Sequence, residues 1–303
     1  MKTVIRNNKD KLRMQFDFSI FRAICLLVML VGMSSCSSSD DDTPREENIR
    51  LKIFSMDSNE VEITYNEDGK VSSIGRDNVI YDAEGRIKQN GNTSYTYNNQ
   101  GRVSKMTRRS GSRTIETTIV YNNEGLVATS NSMDDQGKVS RSTFEYDSKN
   151  RLTILISENT NFFHKYVKTS LTYDAKDNIE QILTEDSDDG ILYNRYNVEN
   201  YTYDVKNSPN YNLLTKTGHS IAINLFNINP SLRIGNYNAY ETMYFYSKNN
   251  LLSSQVFNSS GTSIYDYVYN ENNYPFSVEI ENTYSTEPED DYIGYRTWTY
   301  ENF

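Results

Sequence analysis

The stretch that decides the reading runs Tyr65-Asn66-Glu67-Asp68-Gly69-Lys70-Val71, then Tyr81-Asp82-Ala83-Glu84-Gly85-Arg86-Ile87, then Tyr97-Asn98-Asn99-Gln100-Gly101-Arg102-Val103. A fourth copy, Tyr121-Asn122-Asn123-Glu124-Gly125-Leu126-Val127, keeps the pattern, and looser copies begin at Tyr146, Tyr173, Tyr203, Tyr246 and Tyr269. Two more lack the tyrosine, Met133 to Val139 and Phe257 to Gly261. The fifth residue is Gly in six copies and Asn150, Asp177, Asn207, Asn250 or Asn273 in the rest. Those residue types tolerate a left-handed backbone, so one αL position is kept while identity drifts. The second residue is Asn, Asp or Ser, whose side chains bond back to nearby backbone and start turns. A type I turn closed by an αL residue is a common hairpin connection. Strand resumes at the seventh residue, usually Val, Ile or Leu; Pro209 and Pro275 depart from this and predict edge or irregular positions.

The flanks read as strands. In Arg113 to Tyr121, Ile115, Ile119 and Tyr121 face one way, and Thr114, Glu116 and Thr118 the other. Ser142 to Tyr146 and Ser170 to Tyr173 alternate likewise, as in an antiparallel sheet wet on one side. The tyrosine anchors fall 16, 16, 24, 25, 27, 30, 43 and 23 residues apart, so the sheet should be narrow at first and taller later. The expected fold is all-β: a long antiparallel meander of hairpin repeats, soluble, curled into a barrel or an open half-barrel.

Outside the repeats, Lys2, Arg6, Lys9, Lys11 and Arg13 open the chain, and an apolar run follows from Ala23 to Met33. That run is short for a membrane-spanning helix and has the length of a signal-peptide core. Met14 offers a second start with a shorter leader. Met33-Ser34-Ser35-Cys36 resembles a lipobox, with Cys36 as the lipidated first residue of the mature chain. The Ser and Asp run after it resembles the export tag of Bacteroidota surface lipoproteins; an ordinary cleaved signal before an acidic linker is the other reading. The expected organisation is a signal peptide over 1–35, an acidic tether over 36–48 and one β domain over 49–303.

Charge and composition exclude several classes. Residues 1–35 carry net +4, so the chain's −10 becomes −14 without them. Such an acidic chain does not suit nucleic acid or electrostatic docking on anionic lipid, leaving the N-terminal lipid as the membrane contact. The one other cysteine, Cys25, lies in the leader, so no disulfide is expected. Two histidines, His164 and His219, supply a zinc site poorly. No metal, cofactor or catalytic constellation is expected. The acidic run Asp186 to Gly190 lacks the spacing of a calcium loop and reads as a hairpin turn, and Glu287 to Asp291 is a second such run. An outer-membrane barrel is disfavoured although the chain ends on Phe303, because Glu301, Thr299 and Thr297 occupy that strand's same-face positions.

The repeat resembles the YD repeats of large bacterial shell and toxin proteins, most closely over residues 65–103. Leader, tether and repeats together resemble a family of Bacteroidota lipoproteins with a porin-like β fold. That resemblance implies an outer-membrane lipoprotein, on the surface or periplasmic face, and brings no activity with it. The expected function is non-enzymatic binding of a glycan or an envelope protein. The alternatives are a carbohydrate-active enzyme with carboxylates at the mouth of the curl, or a structural and assembly component. Candidate binding residues are Tyr193, Tyr196, Tyr237, Tyr240, Tyr265, Tyr267 and Trp298, whose aromatic faces suit sugar C–H faces; core packing is the competing role. The long excursion from Tyr211 to Tyr240 is either a plug for one end of the sheet or a binding loop.

Overall fold

A computed structural model describes residues 49–56, 59–159, 165–209, 211, 213, 247–257, 261–284 and 291–302. The β structure lies in the compact unit Glu47–Phe303, while the leader, Cys36 and the whole tether lie outside the described residues. His164, His219 and Phe303 also lie outside them. Among the described residues eighteen antiparallel strands follow one another: β1 (Ile49–Met56), β2 (Asn59–Tyr65), β3 (Val71–Ile74), β4 (Asp77–Tyr81), β5 (Ile87–Asn90), β6 (Thr93–Tyr97), β7 (Val103–Ser110), β8 (Arg113–Tyr121) and β9 (Val127–Asp134). The second half holds β10 (Val139–Tyr146), β11 (Leu152–Asn159), β12 (Tyr166–Tyr173), β13 (Ile179–Ser187), β14 (Asn194–Asn207), β15 (Asn249–Val256), β16 (Gly261–Tyr269), β17 (Pro275–Tyr284) and β18 (Tyr292–Asn302). Each strand pairs with the next and β18 pairs with β1, so the meander closes into a barrel without a free edge.

The turn chemistry is the one the repeat demands. The second residue accepts backbone N–H groups from the fourth and sixth: Asp82 Oδ1 from Glu84 and Arg86 at 3.1 and 2.8 Å, Asp147 Oδ1 from Lys149 and Arg151, both at 2.9 Å. The fifth residue is left-handed, with φ of +75° at Gly69 and +62° at Asn150. Asn207 and Asn250 do not follow. They belong to one split turn: Asp204 Oδ1 accepts from Lys206 N at 2.9 Å, then from Asn250 N at 3.0 Å across an insertion of some forty residues. Tyr203 accordingly pairs with Leu251 across the same kind of bulge that sets Tyr121 against Val127. The copy read at Tyr246 is thus the second half of the Tyr203 repeat, and the excursion from Tyr211 to Tyr240 interrupts its turn. Apart from Tyr211 and Leu213, that excursion lies outside the described residues.

Each anchor tyrosine ties two repeats together. In most of the described repeats its hydroxyl donates to the carbonyl of the seventh residue of the preceding repeat: Tyr81 to Val71 at 2.7 Å, Tyr97 to Ile87 at 2.6 Å, Tyr121 to Val103 at 2.7 Å and Tyr173 to Leu152 at 2.7 Å, whereas Tyr269 donates to the Asp204 carboxylate. Where the sixth residue of a tyrosine repeat is Lys or Arg, it lays a cation over the next tyrosine, with Arg86 4.4 Å from the centre of Tyr97 and Arg151 4.5 Å from that of Tyr173. Closure reuses the device. Tyr300 donates to Pro275 at 2.8 Å, and Tyr65 to Leu51 at 2.7 Å under the guanidinium of Arg50. Tyr300 pairs with Leu51, and Arg50 Nε reaches Glu301 at 2.8 Å, so the two ends of the sheet form a turn that lacks only its middle. Pro275, read as an edge or irregular position, sits at a bulge opposite Tyr269 within the closed sheet. Neighbouring turns are also bridged by charge, since Lys248 and Lys149 hold the Asp177 carboxyl down at about 2.

The two repeats without a tyrosine turn at the other end of the barrel. The Asp134 turn joins β9 to β10, and Phe257 follows β15, whereas the tyrosine turns join even strands to odd ones. Strand length follows the spacing: four or five residues in β3 to β6, and nine, ten and eleven in β13, β17 and β18. Ile119 and Thr117 point inward and Glu116 and Thr118 outward, as the alternation predicts. The core holds an apolar cluster, with Leu152, Ile179, Ile182 and Val278 almost fully enclosed, and polar side chains such as Thr117, Ser130, Thr184 and Asn197 are buried as well. Glu116, Arg141, Glu145, Glu279 and Glu281 are exposed on the outer wall. A lipid-facing wall carries apolar side chains there.

Candidate ligand groove on the outer wall

Three of the expected aromatic residues come together, but inside the barrel. Tyr265 and Tyr267 on β16 have ring centres 6.5 Å apart, and Tyr267 lies 6.2 Å from Trp298 on β18. Phe54 completes the stack 5.8 Å from Trp298. Trp298 is 3 % exposed and Tyr265 9 %, so their faces serve core packing rather than a solvent-facing sugar platform. Tyr193 is far from them along the chain, in the connection from β13 to β14. It is half-buried, with Lys168 Nζ 5.6 Å from its ring centre, and partial burial raises its phenol. Tyr196 is the unpaired residue of a bulge in β14, between Arg195 opposite Glu185 and Asn197 opposite Thr184; its side chain lies outside what is described. Tyr237 and Tyr240 also lie outside the described residues.

The carboxylates mostly have structural work. Asp189 Oδ1 accepts from Ile191 N at 2.8 Å, Leu192 N at 3.0 Å and Ser187 Oγ at 2.9 Å, bonds that hold its carboxyl below the usual range and cap the hairpin. Asp204 takes the hydroxyl of Tyr269 and both amides of its split turn. Glu199 is buried and accepts from the Tyr201 hydroxyl and from Asn197 Nδ2 at 2.9 Å. Among the described residues no group of three or more His, Cys, Asp or Glu side chains could hold a metal ion.

A concave feature with ligand-like chemistry lies on the outer wall, across β8, β9 and β10. It is a groove of about 680 Å³ lined by Glu116, Thr118, Asn131, Met133, Arg141 and Thr143 among others. Register places them in rows: Thr118 opposite Asn131, Asn131 opposite Arg141, Glu116 opposite Met133. The six face outward because Thr117, Ser130, Ser132 and Ser142, at the alternate positions, are buried. Lys105 Nζ stands 2.6 Å from Glu116, neutralising that flank. The floor is pinned at one end, where Asp135 exchanges hydrogen bonds with Thr114 and Arg113 reaches Gln136 at 3.1 Å. Amide and hydroxyl groups beside one thioether and one guanidinium offer hydrogen bonds and an apolar edge, without a nucleophile or base pair. Sequence reading missed these residues because outward strand positions of mixed polar type carry no spacing signal until neighbouring strands align them.

Among solved structures, a porin-like protein from Bacteroides uniformis ATCC 8492 aligns with 84 % of this chain and 95 % of its own, at 13 % identity and TM-score 0.47. One from Bacteroides vulgatus ATCC 8482 aligns over 84 % and 99 %, at 10 % identity and TM-score 0.41. The structure described as TcdB2-TccC3-TEV aligns over 77 % of this chain and 14 % of its own, at 16 % identity and TM-score 0.32. No curated protein matches. Residues 81–113 match the RHS Repeat family, a YD-like repeat.

Proposed function

We propose that this chain is a non-enzymatic lipoprotein of the cell envelope that binds a glycan along the groove over β8 to β10. The groove carries the reading: 680 Å³ of outer-wall concavity, lined by hydroxyl and amide groups, suits the many hydroxyls of a sugar chain. A glycan-array screen of the purified chain should give saturable binding, and Asn131→Ala with Thr118→Ala should weaken it roughly tenfold, the loss of one or two good hydrogen bonds. Silence across a broad panel overturns the glycan reading.

A protein partner is the second reading, favoured by a different face. Ile264, Val268, Phe276, Ile293 and Tyr295 on β16 to β18 are each more than half exposed, with Glu281 between Ile264 and Ile293 in register. Exposed apolar groups gathered on adjacent strands favour an interaction surface. The envelope assignment rests on the leader and on Cys36. Cys36→Ser should release the protein from the membrane fraction and abolish lipid processing; membrane retention with normal processing sinks it.

A further inference from the structure

We propose that the groove selects a glycan bearing isolated carboxylates, such as a uronic acid set among neutral sugars, with Arg141 as the selecting residue; this rests on the glycan reading. Of the groove's two charged side chains, Glu116 is already paired with Lys105. Arg141 is exposed, stands in the row Thr118–Asn131–Arg141, and forms no ion pair with another described residue. Its cross-strand neighbour on the far side, Glu158, is engaged by Lys165 at 3.4 Å and by the Tyr166 hydroxyl at 3.4 Å. A guanidinium offers two parallel N–H donors that match a carboxylate, and Asn131 beside it supplies both a donor and an acceptor for the neighbouring hydroxyls. Met133 gives the C–H face of the ring an apolar contact.

The chain's own charge limits how acidic that ligand is. At a net −10, the protein repels a polymer charged at every residue, and the repulsion reaches further as salt is lowered. One guanidinium in such a field favours a sparse carboxylate, held locally at hydrogen-bond range, over a dense polyanion.

The test uses matched oligosaccharides, each in its uronate form and in the carboxyl-reduced form, titrated calorimetrically into the full chain. The uronate form should bind about tenfold more tightly than its reduced partner, as expected for a charge-assisted bond. Arg141→Gln should remove that preference and bind both forms at the reduced form's level, and Arg141→Lys should restore part of it. Arg141 is exposed, so these variants should keep the parent's urea midpoint. Equal binding of the two forms, or a preference that survives Arg141→Gln, overturns this inference and leaves the glycan reading standing. Failure of every oligosaccharide, neutral or acidic, overturns both.

Discussion

Tyr173→Ala should cost the barrel about 3–5 kcal/mol, the range for deleting a large buried aromatic ring. Tyr173 packs against the apolar cluster, beneath the guanidinium of Arg151, with its hydroxyl on the carbonyl of Leu152, a residue with no exposed surface. Truncation opens a cavity, strips the cation of its ring and leaves a carbonyl without that donor. Because a domain of this kind is stable by only about 5–15 kcal/mol, one lost staple moves it a long way toward unfolding. Tyr173→Phe keeps the ring and removes the hydroxyl alone, so it should cost about 1 kcal/mol, the net worth of one hydrogen bond. Tyr295→Ala, on a residue 53 % exposed on the outer wall, should change stability by no more than about 0.5 kcal/mol. Urea unfolding of the three variants checks the ordering. If Tyr173→Phe matches the parent, the hydroxyl contributes nothing and the staple account fails.

How far the sequence carried can be seen at individual positions. The turns were legible because their chemistry is local: Asp147 bonds to the amides of Lys149 and Arg151, and Asn150 is left-handed, all within six residues. Closure was not legible, because its parts stand at opposite ends of the chain. Tyr300 and Glu301 form half a turn and Arg50 and Leu51 the other half, with Glu301 251 positions after Arg50. The split turn at Asp204 is hidden in the same way, because its second half, from Asn250, resembles a separate repeat starting at Tyr246. The sixth position was passed over since its role needs the next repeat: Arg86 is half of a contact with Tyr97 that exists only when strands align. The aromatic residues read as ligand platforms show the limit of composition. Tyr265, Tyr267 and Trp298 do cluster, but parity places them inward, where the core takes their faces.

Alkaline solution should dismantle the barrel between about pH 10 and pH 12. Burial raises the phenols of Tyr65, Tyr97 and Tyr146 to about 12, and those of Tyr173, Tyr269 and Tyr300 higher still. In the unfolded chain the same groups ionise near 10. Below about pH 10 both states hold their protons, and these tyrosines make stability neither rise nor fall. Above it the unfolded state gives up protons that the barrel retains, so stability drops as pH rises toward the folded values. Discounted by about half for the water that still screens half-buried rings, the first three alone lose on the order of 4 kcal/mol by pH 12. The more deeply shifted three add to that, so the total reaches the scale of the whole folding free energy. Tyrosinate absorbance should therefore appear in a cooperative step that coincides with loss of the β-sheet circular dichroism. A gradual titration near pH 10 with the sheet intact would mean that the anchor hydroxyls are not held protonated by the fold. The ring of staples would then be contacts the barrel tolerates rather than contacts that close it.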